Sequence, residues 1–230
     1  MQNILSCNTY INYNKEYFCP DCPKHNFDKT HFGQYPKKIH YNFNSKGFRD
    51  NEWPSDLSDA IWCIGDSFTV GIGQPFDEIW PSQLHNNSKQ NTINISETGC
   101  SNDRIAQRVK EIHARYNPKV MVVMWSYFHR RMVDGVDVQY DRTHFGAKQD
   151  LENFSKNFES VCSLSGKQVH MVIPNPFLHG ENYQYFIENK IKPNKLFFVK
   201  QLDTARDGFH FDALTSNSIV EFILNELNLT

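Results

Sequence analysis

Long hydrophobic runs are absent from the sequence. No apolar stretch in the 230 residues approaches the ~20 residues that a membrane-spanning helix needs. Residues 1–14 also lack the basic segment and apolar core that mark a secretory signal. We therefore expect a protein that works in the cytoplasm and has no membrane partner.

An excess of charge of either sign is absent too. The chain has 24 Lys and Arg against 26 Asp and Glu, which gives a formal net charge of −2. A surface that binds phosphate backbones normally carries a basic excess or a basic stripe, and two adjacent basic residues, as at 37–38 and 130–131, are too few to form one. Nucleic acid is therefore not an expected partner.

Cysteine is scarce, with six residues at uneven spacing, which is typical of reduced thiols rather than of a disulfide scaffold. Cys19 and Cys22 nevertheless have the close spacing of a zinc-ligand pair, and Cys7 and His25 could complete such a site. No second pair of this kind exists, and the spacing matches no common zinc finger. A structural zinc ion in the N-terminal region and free or redox-active thiols both remain open.

The glycine motifs that hold phosphates are also missing. Gly71 and Gly73 are followed by Gln74 and Pro75, without the lysine of a P-loop or the third glycine of a dinucleotide fingerprint. The G-x-S-x-G sequence of another class of serine hydrolases is absent as well. Binding of nucleotides through these motifs is therefore not expected.

What the sequence does contain is an alternation of short apolar runs with amphipathic stretches. The runs lie at residues 60–64, 92–95, 120–125, 169–173 and 196–199. This alternation predicts an α/β fold with a doubly wound, flavodoxin-like parallel sheet of about five strands. We expect this domain to span residues 60–230, and residues 1–59 to form an irregular arm packed on its core, with Phe48 as an anchor. Within the domain we predict helices near residues 77–84 and 183–188, and one long loop at 126–149.

Polar residues follow the first run directly, in the sequence Gly-Asp-Ser-Phe at 65–68. Ligands of open α/β sheets collect at the carboxyl ends of the strands, so Ser67 is well placed to meet a substrate. We predict that Ser67 is a nucleophile, although glycine, aspartate and serine are also common in ordinary turns.

A matching pair lies between the last run and the C-terminal helix, where Asp207 precedes His210 by three residues. A serine hydroxyl needs a base to take its proton, and the base works best when a carboxylate fixes its tautomer. Ser67, His210 and Asp207 supply these three roles. Asp203 and Asp212 are rival carboxylates, with less favourable spacing from the histidine.

Together, Gly-Asp-Ser-Phe at 65–68, the loop at Gly99 and Asp-Gly-Phe-His at 207–210 resemble blocks one, two and five of the SGNH, or GDSL, hydrolases. Their order and separations match that family from residue 60 to residue 227. The resemblance implies the SGNH fold and a serine esterase that needs no cofactor, with Ser67 as nucleophile, His210 as base and Asp207 orienting it. It also implies that the backbone N–H groups of Ser67 and Gly99 stabilise the oxyanion.

The third block departs from the family pattern. Where the family usually has Gly-x-Asn-Asp, this chain has Trp-Ser-Tyr-Phe-His-Arg at 125–130. We expect Ser126 to replace the missing oxyanion donor, or Arg130 to line the substrate site, while ordinary loop roles stay open for both. Trp125 is a candidate for substrate binding, and Asn102 either contacts substrate or caps the following helix.

The function expected from these residues is hydrolysis of small acyl esters, with O-acetyl groups on a carbohydrate as the family-level expectation. The partner would then be an acylated small molecule or a polysaccharide. Two alternatives remain: an acyltransferase that uses the same three residues, and a binding or structural protein that kept the fold with weak catalysis. The sequence does not indicate an oligomeric state.

Overall fold

The computed structural model describes residues 10–18, 21–25, 28–138, 147–173 and 196–229. In chain order its elements are β1 (Asn14–Lys15), α1 (Lys29–Gln34), β2 (Tyr41–Asn42), β3 (Ile61–Ile64), α2 (Ser67–Val70), a 3₁₀ turn (Phe76–Glu78), α3 (Trp80–Ser88), β4 (Thr92–Asn94), α4 (Asn102–Tyr116), β5 (Val120–Trp125), β6 (Arg131–Val133), β7 (Val136–Val138), α5 (Ala147–Cys162), β8 (Lys167–Val172), β9 (Phe197–Phe198) and α6 (Ala213–Leu227). No helix in these ranges is long and apolar enough to cross a membrane.

Five of the strands form one parallel sheet in the order β4-β3-β5-β8-β9. The first strand of this sheet along the chain, β3, therefore lies between the second and the third, which is the flavodoxin-like order. The predicted five-stranded α/β fold is confirmed. In such a sheet the strand order reverses beside β3, so the residues that follow β3 lie where ligands of this fold class bind.

The central strands are apolar throughout because both faces of the sheet are covered. Along β5, Met121, Val123 and Trp125 belong to the core beneath α4 and α5. The intervening Val122 and Met124 belong to a second core that includes side chains of α3 and α6. Successive side chains of a strand point to opposite faces, so an unbroken apolar run is what a doubly covered strand requires.

The helices begin and end at residues suited to those positions. Ser101 caps α4 by accepting a hydrogen bond from the Arg104 N–H, and Asn117 closes the helix in the left-handed conformation, with φ 43°. The helix predicted near residues 77–84 is observed as a 3₁₀ turn followed by α3, which has Pro81 in its first turn. Local capping chemistry thus places the boundaries.

The stretch at 126–149, predicted to be one long loop, contains the antiparallel hairpin β6–β7. The prediction of a loop is therefore wrong for residues 131–138. The hairpin turn is made by Asp134 and Gly135, which both have the positive φ that a two-residue hairpin turn requires. A short helix predicted near residues 183–188 lies outside the described residues.

The segment before β3 packs on the domain through its own small core. Phe18, Ile39, Tyr41 and Phe43 are buried together with Val70, the last residue of α2, and Ile72. Phe48 is also buried, at 1% exposure, in the core beneath α4 and α5, as predicted. The arm contains α1 and the β1–β2 pair, so its predicted irregularity is only partial.

Asp50, two residues after the anchor Phe48, should make the stability of the fold depend on pH. Burial raises its pKa to about 7, although it accepts hydrogen bonds from the backbone N–H groups of Asn94 and Asn51 and from the Trp53 indole. A pKa raised in the folded state means that stability is greatest below the unfolded value and is lost as the pH rises through about 7. Between pH 5 and pH 8 we expect the free energy of unfolding to fall by on the order of 3 kcal/mol.

The measurement is the free energy of unfolding at pH 5 and pH 8 by urea titration, in the natural protein and in Asp50→Asn. The variant should lose less stability between the two pH values, because its amide does not titrate. Asp56→Asn, at a fully exposed carboxylate whose pKa is lowered by hydrogen bonds from Ser58, is the control and should keep the natural slope. Equal slopes in the natural protein and Asp50→Asn would contradict the assignment.

Candidate active site

The turn at residues 65–67, called here the nucleophile turn after the role predicted for Ser67, joins β3 to α2. Asp66 caps the helix by accepting a hydrogen bond from the Phe68 N–H at 3.0 Å, and Ser67 is the first helical residue. A Cβ atom on Gly65 would lie 2.2 Å from the Thr69 hydroxyl oxygen and 3.0 Å from the Met124 carbonyl oxygen, so only glycine fits there. Within the described ranges the Ser67 N–H donates to no acceptor, which leaves it available at the helix start.

The three residues predicted to act together lie in one hydrogen-bonded chain. His210 Nε2 lies 2.8 Å from Ser67 Oγ, and His210 Nδ1 lies 2.5 Å from Asp207 Oδ2. All three side chains are buried or nearly so, with Ser67 the most accessible at 6% exposure. The arrangement matches the geometry in which a carboxylate orients an imidazole that faces a hydroxyl.

Asp207 is held in place from both sides. Its second oxygen, Oδ1, accepts hydrogen bonds from the backbone N–H groups of Phe209 and His210, each at 3.0 Å. Burial alone would raise the pKa of Asp207, but the charge of His210 and these hydrogen bonds outweigh it and lower the pKa below its usual value. The carboxylate therefore stays ionised at neutral pH, as an orienting group must.

The rival carboxylates serve other purposes. Asp203 accepts hydrogen bonds from the N–H groups of Leu214 and Thr215 and so caps the start of α6. Asp212 accepts from the Tyr35 hydroxyl at 2.8 Å and pairs with Lys37 at 3.1 Å. Neither is hydrogen-bonded to the His210 ring, which leaves Asp207 as its carboxylate partner.

The loop containing Gly99 lies next to the nucleophile turn. The Glu97 N–H donates to the Gly65 carbonyl oxygen at 3.2 Å and ties the two segments together. Gly99 itself has φ 76°, in the left-handed region that favours glycine. Its role as an oxyanion donor stays a prediction.

The altered third block forms a buried polar cluster beneath the nucleophile turn. Ser126 Oγ donates to Asp66 Oδ2 at 2.6 Å, and Arg130 donates to the same oxygen at 3.0 Å. The hydroxyl of Ser126 is thus directed at Asp66, and it would have to give up this bond to act as the oxyanion donor that we predict. Arg130 remains partly accessible while it pairs with the fully buried Asp66 carboxylate.

Two predicted substrate contacts are corrected by the structure. Trp125 is fully buried, and its indole donates to His170 and packs against Phe154 beneath α5. Asn102 is equally buried, with its side chain bonded to the Ser126 N–H and to a carbonyl oxygen of the same loop, and the cap of α4 is Ser101 instead. Trp125 therefore packs in the core, and Asn102 fixes the backbone of the 126–130 loop.

The candidate zinc site is only partly covered by the structure. Cys7 and Cys19 lie outside the described residues, and Cys22 is described as a free thiol. No group of three or more possible ligands is found among the residues that the structure describes. The zinc site therefore stays a prediction.

Sequence reasoning missed Asp66 as the centre of a charge cluster and Asp21 as a partner of Arg206. Asp66 stands in the Gly-Asp-Ser motif, so its position was visible, but its partner Arg130 is 64 residues away. The Asp21–Arg206 pair spans 185 residues, and although Asp21 lies between Cys19 and Cys22, that spacing indicates a metal site and not a partner for an arginine. No local pattern could have found it.

The fold has similar counterparts among solved structures. The sequence matches no protein-family model and no curated protein. TesA is similar at 16% identity and TM-score 0.53, over 75% of this chain and 100% of that chain. A family two carbohydrate esterase from Clostridium thermocellum, in complex with cellohexaose, is similar at 16% identity and TM-score 0.51, over 77% and 67%. The chain has the fold of the SGNH hydrolases.

Proposed function

We propose that this protein is a serine esterase of the SGNH type. Ser67 Oγ attacks the ester carbonyl carbon while His210 Nε2 takes its proton, and the resulting oxyanion accepts hydrogen bonds from the Ser67 and Gly99 N–H groups. Collapse breaks the bond to the alcohol, which leaves with the proton from His210. Water then attacks the acyl-serine carbonyl carbon and gives a proton to His210. The bond to Ser67 Oγ breaks, His210 returns the proton to that oxygen, and the acid departs.

The observation that carries this proposal is the hydrogen-bonded sequence Ser67–His210–Asp207, with contacts of 2.8 and 2.5 Å. Three side chains from two distant segments share one line of proton transfer at the carboxyl end of β3, where ligands of such sheets bind. The free Ser67 N–H adds a donor beside the nucleophile. A purely structural role would not require the hydroxyl, the imidazole and the carboxylate to lie in one hydrogen-bonded chain beside an unbonded N–H group.

For the substrate we propose a small acyl group, such as acetyl, on a carbohydrate. Support comes from the similarity in fold to the family two carbohydrate esterase that was crystallised with cellohexaose. The nucleophile is only 6% exposed, which favours a small acyl group over a long chain. Release of acetate from acetylated xylan or acetylated cello-oligosaccharides, followed with and without added sugar acceptors, tests the substrate and separates hydrolysis from acyl transfer.

The central test is labelling by a fluorophosphonate, which reacts with an activated serine. The natural protein should be labelled at one site, and Ser67→Ala should not be labelled. The turnover of p-nitrophenyl acetate by Ser67→Ala should be at least about a thousandfold lower. Ser216→Ala is the matched control: it removes an equally buried hydroxyl, on α6, and should keep the label. Absence of labelling in the folded natural protein would reject the esterase and favour a binding role.

A further inference from the structure

The arm is bonded directly to the loop that carries Asp207 and His210. Arg206, the neighbour of Asp207 in sequence, points its guanidinium group at the fully buried Asp21, with nitrogen–oxygen distances of 2.6 to 3.2 Å. The same group donates to the Glu16 carbonyl oxygen at 2.9 Å. It also lies over the rings of Tyr17 and Phe32, 5.2 and 5.0 Å from their centres. Every partner of the Arg206 side chain named here belongs to the arm.

The same contacts continue to the segment that follows the nucleophile helix. The Tyr41 hydroxyl donates to Asp21 at 2.5 Å and accepts from the Gly73 N–H at 2.8 Å. The Gly73 carbonyl oxygen in turn accepts from the Arg206 N–H at 3.0 Å. A closed ring of hydrogen bonds therefore runs through Asp21, Tyr41, Gly73 and Arg206, and it joins the two halves of the candidate active site.

Close packing makes this junction sensitive to displacement. A Cβ atom on Gly73 would lie 2.7 Å from the Ala205 Cβ, and 3.1 and 3.2 Å from the backbone nitrogens of Arg206 and Asp207. The two segments are therefore packed too closely for a side chain at Gly73. His31, on α1, lies 2.8 Å from the Ala205 carbonyl oxygen and adds a second contact from the arm. The arm thus touches the loop immediately before Asp207 at two separate points.

A second arginine of the arm holds the other side of the junction. Arg49 is buried, at 1% exposure, and donates to the carbonyl oxygens of Val70, Gly71 and Gln74, at the end of α2 and in the turn that follows it. Burial lowers its pKa to about 10, so it remains charged at neutral pH. Its guanidinium carbon lies 4.4 Å from the centre of the Tyr41 ring. The serine segment is therefore also bonded to the arm.

We propose that Asp21, Tyr41 and Arg206, here called the arm clamp, are positioning residues that hold the Asp207–His210 loop in register with Ser67. The inference rests on the proposed function, because it assigns the arm a part in that same site. A buried ion pair often adds little net stability. The paired hydrogen bonds between an arginine and a carboxylate nevertheless fix the relative orientation of the two segments that carry them. A displacement of about 1 Å between reacting groups can lower the rate a hundredfold, so loosening the clamp should act on turnover.

The test compares Arg206→Met, Asp21→Asn and Arg206→Lys with Arg104→Met, which removes the Arg104–Asp137 ion pair outside the clamp. Well below each melting midpoint, Arg206→Met and Asp21→Asn should lower kcat for p-nitrophenyl acetate about 10- to 100-fold and leave KM within about twofold. Their effects should not add in the double variant, because both break one pair. Arg206→Lys should recover part of the loss, and Arg104→Met should keep the natural kcat.

A second readout does not depend on turnover. The hydrogen bond between His210 Nδ1 and Asp207 should give a far-downfield proton resonance, assigned by its loss in His210→Gln. This resonance should be present in the natural protein and broadened or lost in Arg206→Met and Asp21→Asn. If the natural protein fails to react with fluorophosphonate, the proposed function is rejected while the resonance still tests the clamp. Natural kcat and an unchanged resonance in the folded clamp variants would overturn the inference.

Discussion

Asp207→Asn is expected to lower kcat/KM for p-nitrophenyl acetate by about a thousand- to ten-thousandfold. In the natural protein Asp207 Oδ2 accepts a hydrogen bond from the Nδ1–H group of His210 at 2.5 Å, which leaves Nε2 without a proton and able to take that of Ser67. An amide in this position can present its NH₂ group to Nδ1, and the ring then carries its proton on Nε2. The base faces the serine in the wrong tautomer, although the side chain keeps its size.

Asp203→Asn separates this effect from a loss of folding. Asp203 lies in the same segment and caps α6 through hydrogen bonds from Leu214 and Thr215, without touching the His210 ring. Asparagine keeps one acceptor oxygen of the two, so the free energy of unfolding should fall by about 1 kcal/mol. The kcat/KM of the folded protein should stay within a few-fold of the natural value. If Asp203→Asn were the inactive variant and Asp207→Asn the active one, the carboxylate of the site would have been misassigned.

Much of the fold could be predicted because the information is local. The continuous apolar run at β5 reflects a strand covered on both faces, and Asn117 followed by Pro118 ends α4 as the sequence indicates. The β6–β7 hairpin was missed because its strands are three residues each and half exposed, which leaves little apolar alternation to detect. Short edge elements are defined by contacts made after folding, and their sequence signal is weak.

The candidate site divides along the same line. Ser67, Asp207 and His210 stand in short motifs whose spacing reflects one turn of backbone each, so the sequence points to them directly. Trp125 was misread as a substrate contact because an aromatic residue at the end of a strand has the same sequence pattern whether it faces solvent or, as here, α5. Asp21 gave no signal, because its partner Arg206 is brought to it only by the complete fold.

The altered third block contributes to a polar cluster beneath Ser67. The Asp66 carboxylate, directly before Ser67 in the sequence, is fully buried and pairs with Arg130. The Ser126 hydroxyl and the Arg130 guanidinium group both donate to its Oδ2 atom, and Arg130 also donates to the Ser126 hydroxyl oxygen at 3.2 Å. We infer that Arg130 balances this charge, and that the third block has become a support for the nucleophile turn.

Arg130→Met should therefore destabilise the protein strongly, by roughly 3 to 5 kcal/mol in the free energy of unfolding at pH 8. The substitution keeps an extended apolar side chain but leaves the Asp66 carboxylate buried with Ser126 as its remaining side-chain donor. Urea unfolding at pH 8, followed by tryptophan fluorescence, measures the difference from the natural protein.

Lys119→Met provides the comparison, because it also removes one cation from an ion pair. The Lys119–Asp59 pair is exposed, with 73% and 77% of the side-chain surfaces accessible, so its loss should leave the free energy of unfolding at pH 8 almost unchanged. Arg130→Lys should fall between the two, since it restores the charge without the planar fork that reaches both Asp66 and Ser126. If Arg130→Met cost no more than Lys119→Met at pH 8, the Asp66 charge would have to be balanced by other groups, and the support role of the third block would be lost.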